Sequence, residues 1–345
     1  MKLKHLLFSS LMLLSAGSAW ADVEINKTNF PDAEFRDYLL WQDYGSDGVL
    51  TDEEIAGIFS MDVSSKEIQS LQGIEYFTAL EVLDCSENQL TSLDVSKNTA
   101  LDTLVCYSNQ LTSLDVLKNT KLSQLECYSN QLTSLDVSKN TALRTLSFSG
   151  NQLTSLDVSK NTALTYLECG GNPLTSLDVS KNTALTYLQC GRNQLTSLDV
   201  SKNTKLTELH CSDNQLTSLD VSKNTALTRL SCSDNQLTSL DVSKNTGLGS
   251  LWCSSNQLTS LDVSKNTKLE KLCCYQNQIK GAAMDALIAS LPPVSSGEMY
   301  VKDKENEKNV MTTTQVAAAK AKGWMPYYNA GGGWYKYAGV DPAAK

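Results

Sequence analysis

Leucines recur along most of this chain at a fixed beat. The pattern LxxLxCxxNQLTSLDVSKNTA returns every 21 residues, at Leu80, Leu101, Leu122, Leu143, Leu164, Leu185, Leu206, Leu227 and Leu248, with a half copy from Leu269. A period this short predicts a solenoid, because a single unit can bury its apolar side chains only against its neighbours. The unit is itself nearly doubled. Its first ten residues, LxxLxCxxNQ, and its last eleven, LTSLDVSKNTA, both read LxxLx(C/V)xxN. Each half sends two alternating residues inward, a leucine and then Cys or Val, which predicts a short β-strand in each half. Each half then turns at an asparagine, which tolerates the left-handed conformation and bonds the turn backbone through its amide. Stacking predicts two asparagine ladders, Asn88 to Asn277 and Asn98 to Asn266, that pair buried backbone groups.

The ten cysteines change this picture little. Nine of them, from Cys85 to Cys274, fall in the register of the repeat, and the one vacancy is filled by Phe148. A column that accepts Phe is a core column, in which Cys acts as a small hydrophobe. Side chains that point the same way from adjacent coils have poor disulfide torsions, so a reduced buried column is expected. Cys273 is the exception: alternation turns it outward, as a candidate reactive thiol.

Outward positions divide the coil into two faces. In the second half-unit they hardly change, giving an Asp column from Asp94 to Asp262 and a Lys column from Lys97 to Lys265. This side reads as a solvated, copied scaffold. In the first half-unit the outward residues vary from copy to copy. Tyr107 and Tyr128 share one column, with Tyr275 further along, and Tyr166 and Tyr187 share another. A third column runs through Glu126, Glu168, His210, Trp252 and Cys273. Aromatic and mixed polar residues on a flat sheet suit a contact surface for protein or glycan. The candidate partner-binding residues are therefore Tyr107, Tyr128, Tyr166, Tyr187, His210 and Trp252.

The consensus LxxLxCxxNxL resembles the leucine-rich repeat family, and the nested 10 + 11 pattern is similar to its short bacterial 21-residue class. The resemblance covers Leu80 to about Ile279. It implies a right-handed, mainly β solenoid, with a parallel sheet along one face and a ligand-binding role for that face. Unlike commoner members, this unit has no helical half. Near-equal half-units predict a flattened, weakly curved coil, and ten turns at about 4.8 Å give a sheet roughly 48 Å long.

The ends read as caps. Residues 22–79 form an N-terminal cap plus a degenerate first coil, with an amphipathic helix over 31–41 that carries Phe35 and Leu39 on one side. The loop Asp43 to Glu54 resembles the twelve-residue calcium loop of an EF-hand. On that resemblance Asp43, Asp47, the Val49 carbonyl and Glu54 would hold calcium, with Gly48 at the turn and Gly45 where a ligand usually stands. The same residues also read as a capping box, Thr51 with Glu54, after an Asp47-Gly48 turn. Residues 280–345 read as an αβαββ cap: helices over 282–291 and 314–322, a strand over 299–301, and a hairpin around Gly331-Gly332-Gly333. A small helical cap, a solenoid over 80–279 and a small αβ cap complete the expected architecture. The layout resembles that of exported bacterial leucine-rich repeat proteins with an EF-hand-like cap.

Residues 1–21 read as a secretory signal: Lys2 and Lys4, the apolar stretch Leu6 to Leu14, then Ala19-Trp20-Ala21. The stretch is too short to span a bilayer. The expected destination is secretion or the cell surface, with the periplasm as an intermediate or final stop. The chain carries 29 basic and 38 acidic residues, net −9, and loss of the signal lysines makes it more negative. Such a surface repels nucleic acid and anionic lipid, so neither is expected as a partner. No CxxC, HExxH, P-loop or GxSxG occurs, and His210 is the single histidine beyond the signal. The sequence thus points to a monomeric, non-catalytic module that takes a protein ligand, a host surface protein among the candidates. A glycan is the alternative ligand, and a passive spacer is the third reading.

Overall fold

The computed structural model describes residues 22–303, 307–330 and 332–340. The expected signal, residues 1–21, lies outside the described residues, as do Gly331 of the expected hairpin and residues 304–306 and 341–345. In chain order the elements are β1 (Val23–Glu24), α1 (Ala33–Leu40), β2 (Val49–Leu50), α2 (Asp52–Gly57) and β3 (Ser60–Asp62), then one three-residue strand per coil from β4 (Val82–Asp84) to β13 (Lys271–Cys273). The closing elements are α3 (Ala282–Ser290), β14 (Gly297–Lys302), α4 (Thr313–Ala321), β15 (Trp324–Ala330) and β16 (Gly333–Lys336). Strands β3 to β16 form one 14-stranded sheet in sequence order. Its pairs are parallel and offset by one repeat from β4 to β13, as in Leu188↔Leu209↔Leu230, and only the last pair, β15 with β16, is antiparallel.

Period and register agree because a parallel ladder stacks each residue on its copy. The inward Leu of every strand and the Cys that follows are fully buried, as are the Val and the two flanking leucine files. Phe148 takes the cysteine position with no exposure, and all ten cysteines are free and buried. The solenoid is therefore filled by the columns the repeat predicted.

Three expectations need correction. The second half-unit is not a strand: between coils it shows one isolated bridge, Asp94 with Asp115. The Asp of each LDVS accepts the amide two residues on, as Asp157 does from Ser159 at 2.8 Å, and this side-chain bond turns the backbone away from the ladder. The coil has one sheet and one irregular side. Nor does Asn supply the left-handed turn of the first half-unit. The residue before it does, with φ of 55° at Glu87, 55° at Ser129, 56° at Arg192 and 52° at Gln276. Asn acts through its amide alone. Finally, Cys273 is buried, and desolvation pushes its thiol up to about 12. The sheet runs on into the cap, so Cys273 lies in register between Trp252 and Tyr300 and is covered from both sides.

The two asparagine ladders differ in function. In the first, Asn193 Oδ1 accepts the Leu174 amide at 3.1 Å while Nδ2 donates to the Cys169, Cys190 and Gly191 carbonyls. Asn309 of the cap continues it, donating to Cys274 O and accepting from Ile279 N. In the second, Asn203 Nδ2 donates to the Val179 and Asn182 carbonyls, and its buried Oδ1 has no hydrogen-bond partner among the described residues.

The caps seal the apolar ends. Phe30, Phe35 and Phe77 pack at the N-terminal end with no exposure. Asp32 ties this cap to the coil: one oxygen caps α1 at Phe35 N, the other accepts Gln69 N and Ser70 N. At the other end Trp324 is fully buried and its indole donates to Pro292 O.

Candidate functional site

The outward residues of the sheet form one continuous face whose composition changes along the coil. Strand register puts Tyr187 between Tyr166 and Glu208, and Gln189 between Glu168 and His210. The rings of Tyr166 and Tyr187 are stacked, with centroids 4.4 Å apart and planes within 7°. His210 joins them, 5.5 Å from the Tyr187 ring. Just past the strands, Tyr107 and Tyr128 form a second stack at 4.3 Å and 7°. Trp252 lies two strands beyond His210, outside both stacks, so the structure gathers five of the six sequence-predicted residues into two clusters and leaves the sixth apart.

Glu168 holds the centre of this face. One carboxylate oxygen accepts from the Tyr166 hydroxyl and the other from the Ser147 hydroxyl at 3.0 Å. Tyr128 is pushed up to about 12, first by desolvation, then by Tyr107 and by the carboxylates Glu126 and Glu168. Tyr166 is raised further, by desolvation and by Glu168. The Tyr128 and Tyr166 phenols are thus neutral over any physiological range, with hydroxyls that can donate. Further along, Glu208 lies 3.4 Å from His210 Nε2 and 3.5 Å from the Arg229 guanidinium.

Small residues shape the rest. Where the Tyr107–Tyr128 column continues, the chain places Ser149, Gly170 and Gly191. A Cβ on Gly170 would strike the Gln189 side chain at 2.3 Å, and one on Gly191 would approach the Ser212 carbonyl to 2.9 Å. The aromatic bulk therefore crosses from one side of the face to the other between the third and fifth coils, with a shallow step between.

Sequence reasoning missed the continuation of this face into the cap. Tyr300 and Tyr327 stack at 5.3 Å, and Trp334 meets Tyr300 edge-on at 4.8 Å and Tyr275 at 5.3 Å. The available signal was the alternation of Gly297–Lys302, whose inward Met299 and Val301 follow the coil pattern and leave Tyr300 outward.

In the acidic loop of the N-terminal cap the carboxylates bond to nearby chain atoms. Asp47 accepts the Val49 amide at 3.0 Å, and one Glu54 oxygen accepts both the amide and the hydroxyl of Thr51, closing the capping box. Asp43 opens a single 3-10 turn. Gly45 is packed so closely on α1 that a Cβ would lie 2.2 Å from the Leu39 carbonyl. Its place in the loop follows from packing. Among the described residues no three Asp, Glu, His or Cys side chains gather as a metal centre requires.

Comparison with known proteins settles the fold family. The sequence family described as Leucine Rich repeats (2 copies) matches residues 141–182 and 204–245. This is a leucine-rich repeat chain. It is similar to the functional domain of InlJ from Listeria monocytogenes, a structure described as including a cysteine ladder. The identity is 41% and the TM-score 0.72, over 76% of this chain and 58% of that one. The present chain thus spans somewhat over half the length of that relative. A leucine-rich repeat protein of Leptospira interrogans is 27% identical, TM-score 0.65, over 70% of this chain and 67% of its own. An internalin, InlF, of Listeria monocytogenes shares the fold at 24% identity and TM-score 0.66, over 82% of this chain and 93% of its own. No curated protein matches. Among the described residues no helix is long and apolar enough to cross a membrane.

Proposed function

We infer that this leucine-rich repeat chain is an exported, non-catalytic binding module whose variable sheet face takes a protein partner, a surface protein of another cell being the class favoured. The observation that carries this reading is the pair of parallel-stacked tyrosine pairs on one face of a single unbroken sheet. Rigid aromatic rings lose little entropy on contact and supply both apolar area and a hydroxyl. The size also fits. About 48 Å of sheet, roughly 13 Å wide at the varied positions, approaches the ~800 Å² that one partner contributes to a standard interface. The opposite side repeats Asp, Ser and Lys from coil to coil and offers nothing that distinguishes one place from another.

The stacking geometry also bears on the glycan alternative. Sugar rings dock on a bare aromatic face, whereas rings 4.3 Å and 4.4 Å apart cover each other's faces and turn edges and hydroxyls outward. Protein contact suits that presentation better. Catalysis has little to work with: beside His210 in sequence, the Cys211 thiol is buried and desolvation pushes it up to about 12. Calcium at the cap loop rests on the sequence pattern alone. A saturable heat on calorimetric titration with calcium, lost in Asp43→Ala, would support it, and no heat in either chain would remove it.

The test of ligand class presents the purified chain to a panel of extracellular proteins and, in parallel, to a glycan array. Saturable binding to a protein, weakened by Tyr107→Ser and Tyr128→Ser together, supports the assignment. Binding to glycans alone, with the same tyrosines required, replaces it with the alternative.

A further inference from the structure

A second feature lies further along the same sheet face, on the strand-entry side in the eighth to tenth coils, where the Tyr166–Tyr187 column continues through Arg229, Ser250 and Lys271. Leading up to it, in the fifth to eighth coils, the entry to each strand carries a threonine ladder. Thr186 donates its hydroxyl to the Thr165 carbonyl at 3.0 Å, Thr207 to Thr186 at 3.0 Å, and Thr228 to Thr207 at 3.1 Å. The next rung is Gly249, and two residues earlier Gly247 stands where the preceding coil carries Ala226 and an earlier one Ala184. Neither glycine is needed by the backbone. Both lack positive φ, and a Cβ would meet its nearest atom at 3.6 Å at Gly247 and 3.7 Å at Gly249, ordinary contacts. Alanine and threonine would fit, yet this copy has lost both side chains.

The missing rung leaves a hollow of about 850 Å³. Its floor is Gly247, Gly249 and Ser250; Thr228 and Arg229 form one wall, and Lys268, Glu270 and Lys271 the other. Ser296 and Glu298 of the cap close the end. Arg229 leans to Glu208 at 3.5 Å and Lys271 to Glu298 at 3.2 Å, while Lys268 and Glu270 make no ion pair among the described residues. The lining has no aromatic ring. It offers hydroxyls, one unpaired ammonium, and a carbonyl at Thr228 stripped of the threonine hydroxyl that its neighbours receive.

We propose that this hollow is a binding site for an acidic saccharide of the uronic acid class. A ring hydroxyl would replace the absent threonine hydroxyl at the Thr228 carbonyl, and the Glu270 carboxylate would accept from further hydroxyls. The sugar carboxylate would meet Lys268 on one wall, with Arg229 on the opposite wall adding positive charge. A phosphate-type dianion fits poorly, because Glu270 and Glu298 stand among the cations and would repel it. A neutral sugar would leave the ammonium of Lys268 unused and would find no ring to stack on. This site lies on the same sheet face, nearer the C-terminal cap than the tyrosine stacks, and does not depend on the protein-binding reading.

The test uses the chain's own repeat as the control. The double variant Gly247→Ala, Gly249→Thr restores residues that neighbouring coils carry, so the coil is expected to fold as before, checked by circular dichroism and Tm. Titration calorimetry with trigalacturonic acid is expected to show saturable binding to the parent chain. Binding should weaken at least tenfold in the refilled variant, in Lys268→Ala, and with the fully methyl-esterified trimer. No binding by the parent, undiminished binding by the refilled chain, or equal binding of the ester would each overturn the proposal.

Discussion

Removing one asparagine from each ladder, Asn193→Ala in the first and Asn203→Ala in the second, separates two kinds of buried amide. The side chain removed is identical and both sites are buried, so loss of volume largely cancels. What remains is hydrogen bonding. In Asn203→Ala the Val179 and Asn182 carbonyls lose a donor, but each keeps another, from Asn182 N at 3.0 Å and Leu185 N at 3.1 Å. The Oδ1 that disappears had no hydrogen-bond partner among the described residues. Two bonds at about 1 kcal/mol each set the cost near 2 kcal/mol. In Asn193→Ala the Cys169, Cys190 and Gly191 carbonyls likewise keep Asn172 Nδ2, Asn214 Nδ2 and Gly171 N. The Leu174 amide, however, loses its one acceptor and is left buried and unpaired. That orphan adds about 1–3 kcal/mol, so Asn193→Ala should cost about 2 kcal/mol more than Asn203→Ala. Urea midpoints compare the two variants. Hydrogen exchange then reads the amide directly, and Leu174 should lose protection in the first variant only. Equal midpoints, or full protection of Leu174 in Asn193→Ala, would refute the division of labour between the ladders.

Other consequences follow from the same geometry. The left-handed position before the first Asn costs a side chain about 1 kcal/mol or more, so Ser129→Gly should raise the unfolding free energy from urea titration by about 0.5–1 kcal/mol and Gly171→Ala should lower it by a similar or larger amount. Within the Asp column, Asp157, Asp178 and Asp199 are held below the usual carboxylate range, first by the backbone amides of Ser159, Ser180 and Ser201. A depressed folded-state value stabilises above the unfolded carboxylate value and is lost as pH falls through the folded one, so urea midpoints should drop below about pH 4. Replacing Asp157, Asp178 and Asp199 by Asn should flatten that drop. All ten thiols are buried, so a thiol reagent should label none in the native chain and all ten after denaturation. Rapid labelling of Cys273 in the native chain would contradict its covered position.

The repeat made the coil legible because a parallel stack turns sequence periodicity directly into spatial columns. Phe148 in the cysteine register identified the core, and the tyrosine pairs were visible as neighbours 21 residues apart. What stayed hidden depended on local backbone choices that leave the hydrophobic pattern unchanged. Both half-units read LxxLx(C/V)xxN, yet only one pairs as a strand, because an Asp amide-acceptor bond redirects the other. The left-handed residue varies among Glu, Ser, Arg, Asp, Gln and Gly, so no residue type marks it. Cys273 was read outward correctly by alternation, but its cover comes from Tyr300, a residue of the cap brought alongside by sheet continuation.

The claim that matters most is which face binds. The direct measurement is the dissociation constant for a captured protein partner of two variants built from the chain's own repeat. The front variant is Tyr107→Ser, Tyr128→Ser, Tyr166→Thr and Tyr187→Thr, residues that other coils already carry at those positions. The back variant is Lys139→Gln, Lys160→Gln and Lys181→Gln. The account predicts at least a hundredfold loss of affinity in the front variant and little change in the back one. An unchanged dissociation constant in the front variant, or the larger loss in the back one, would contradict it.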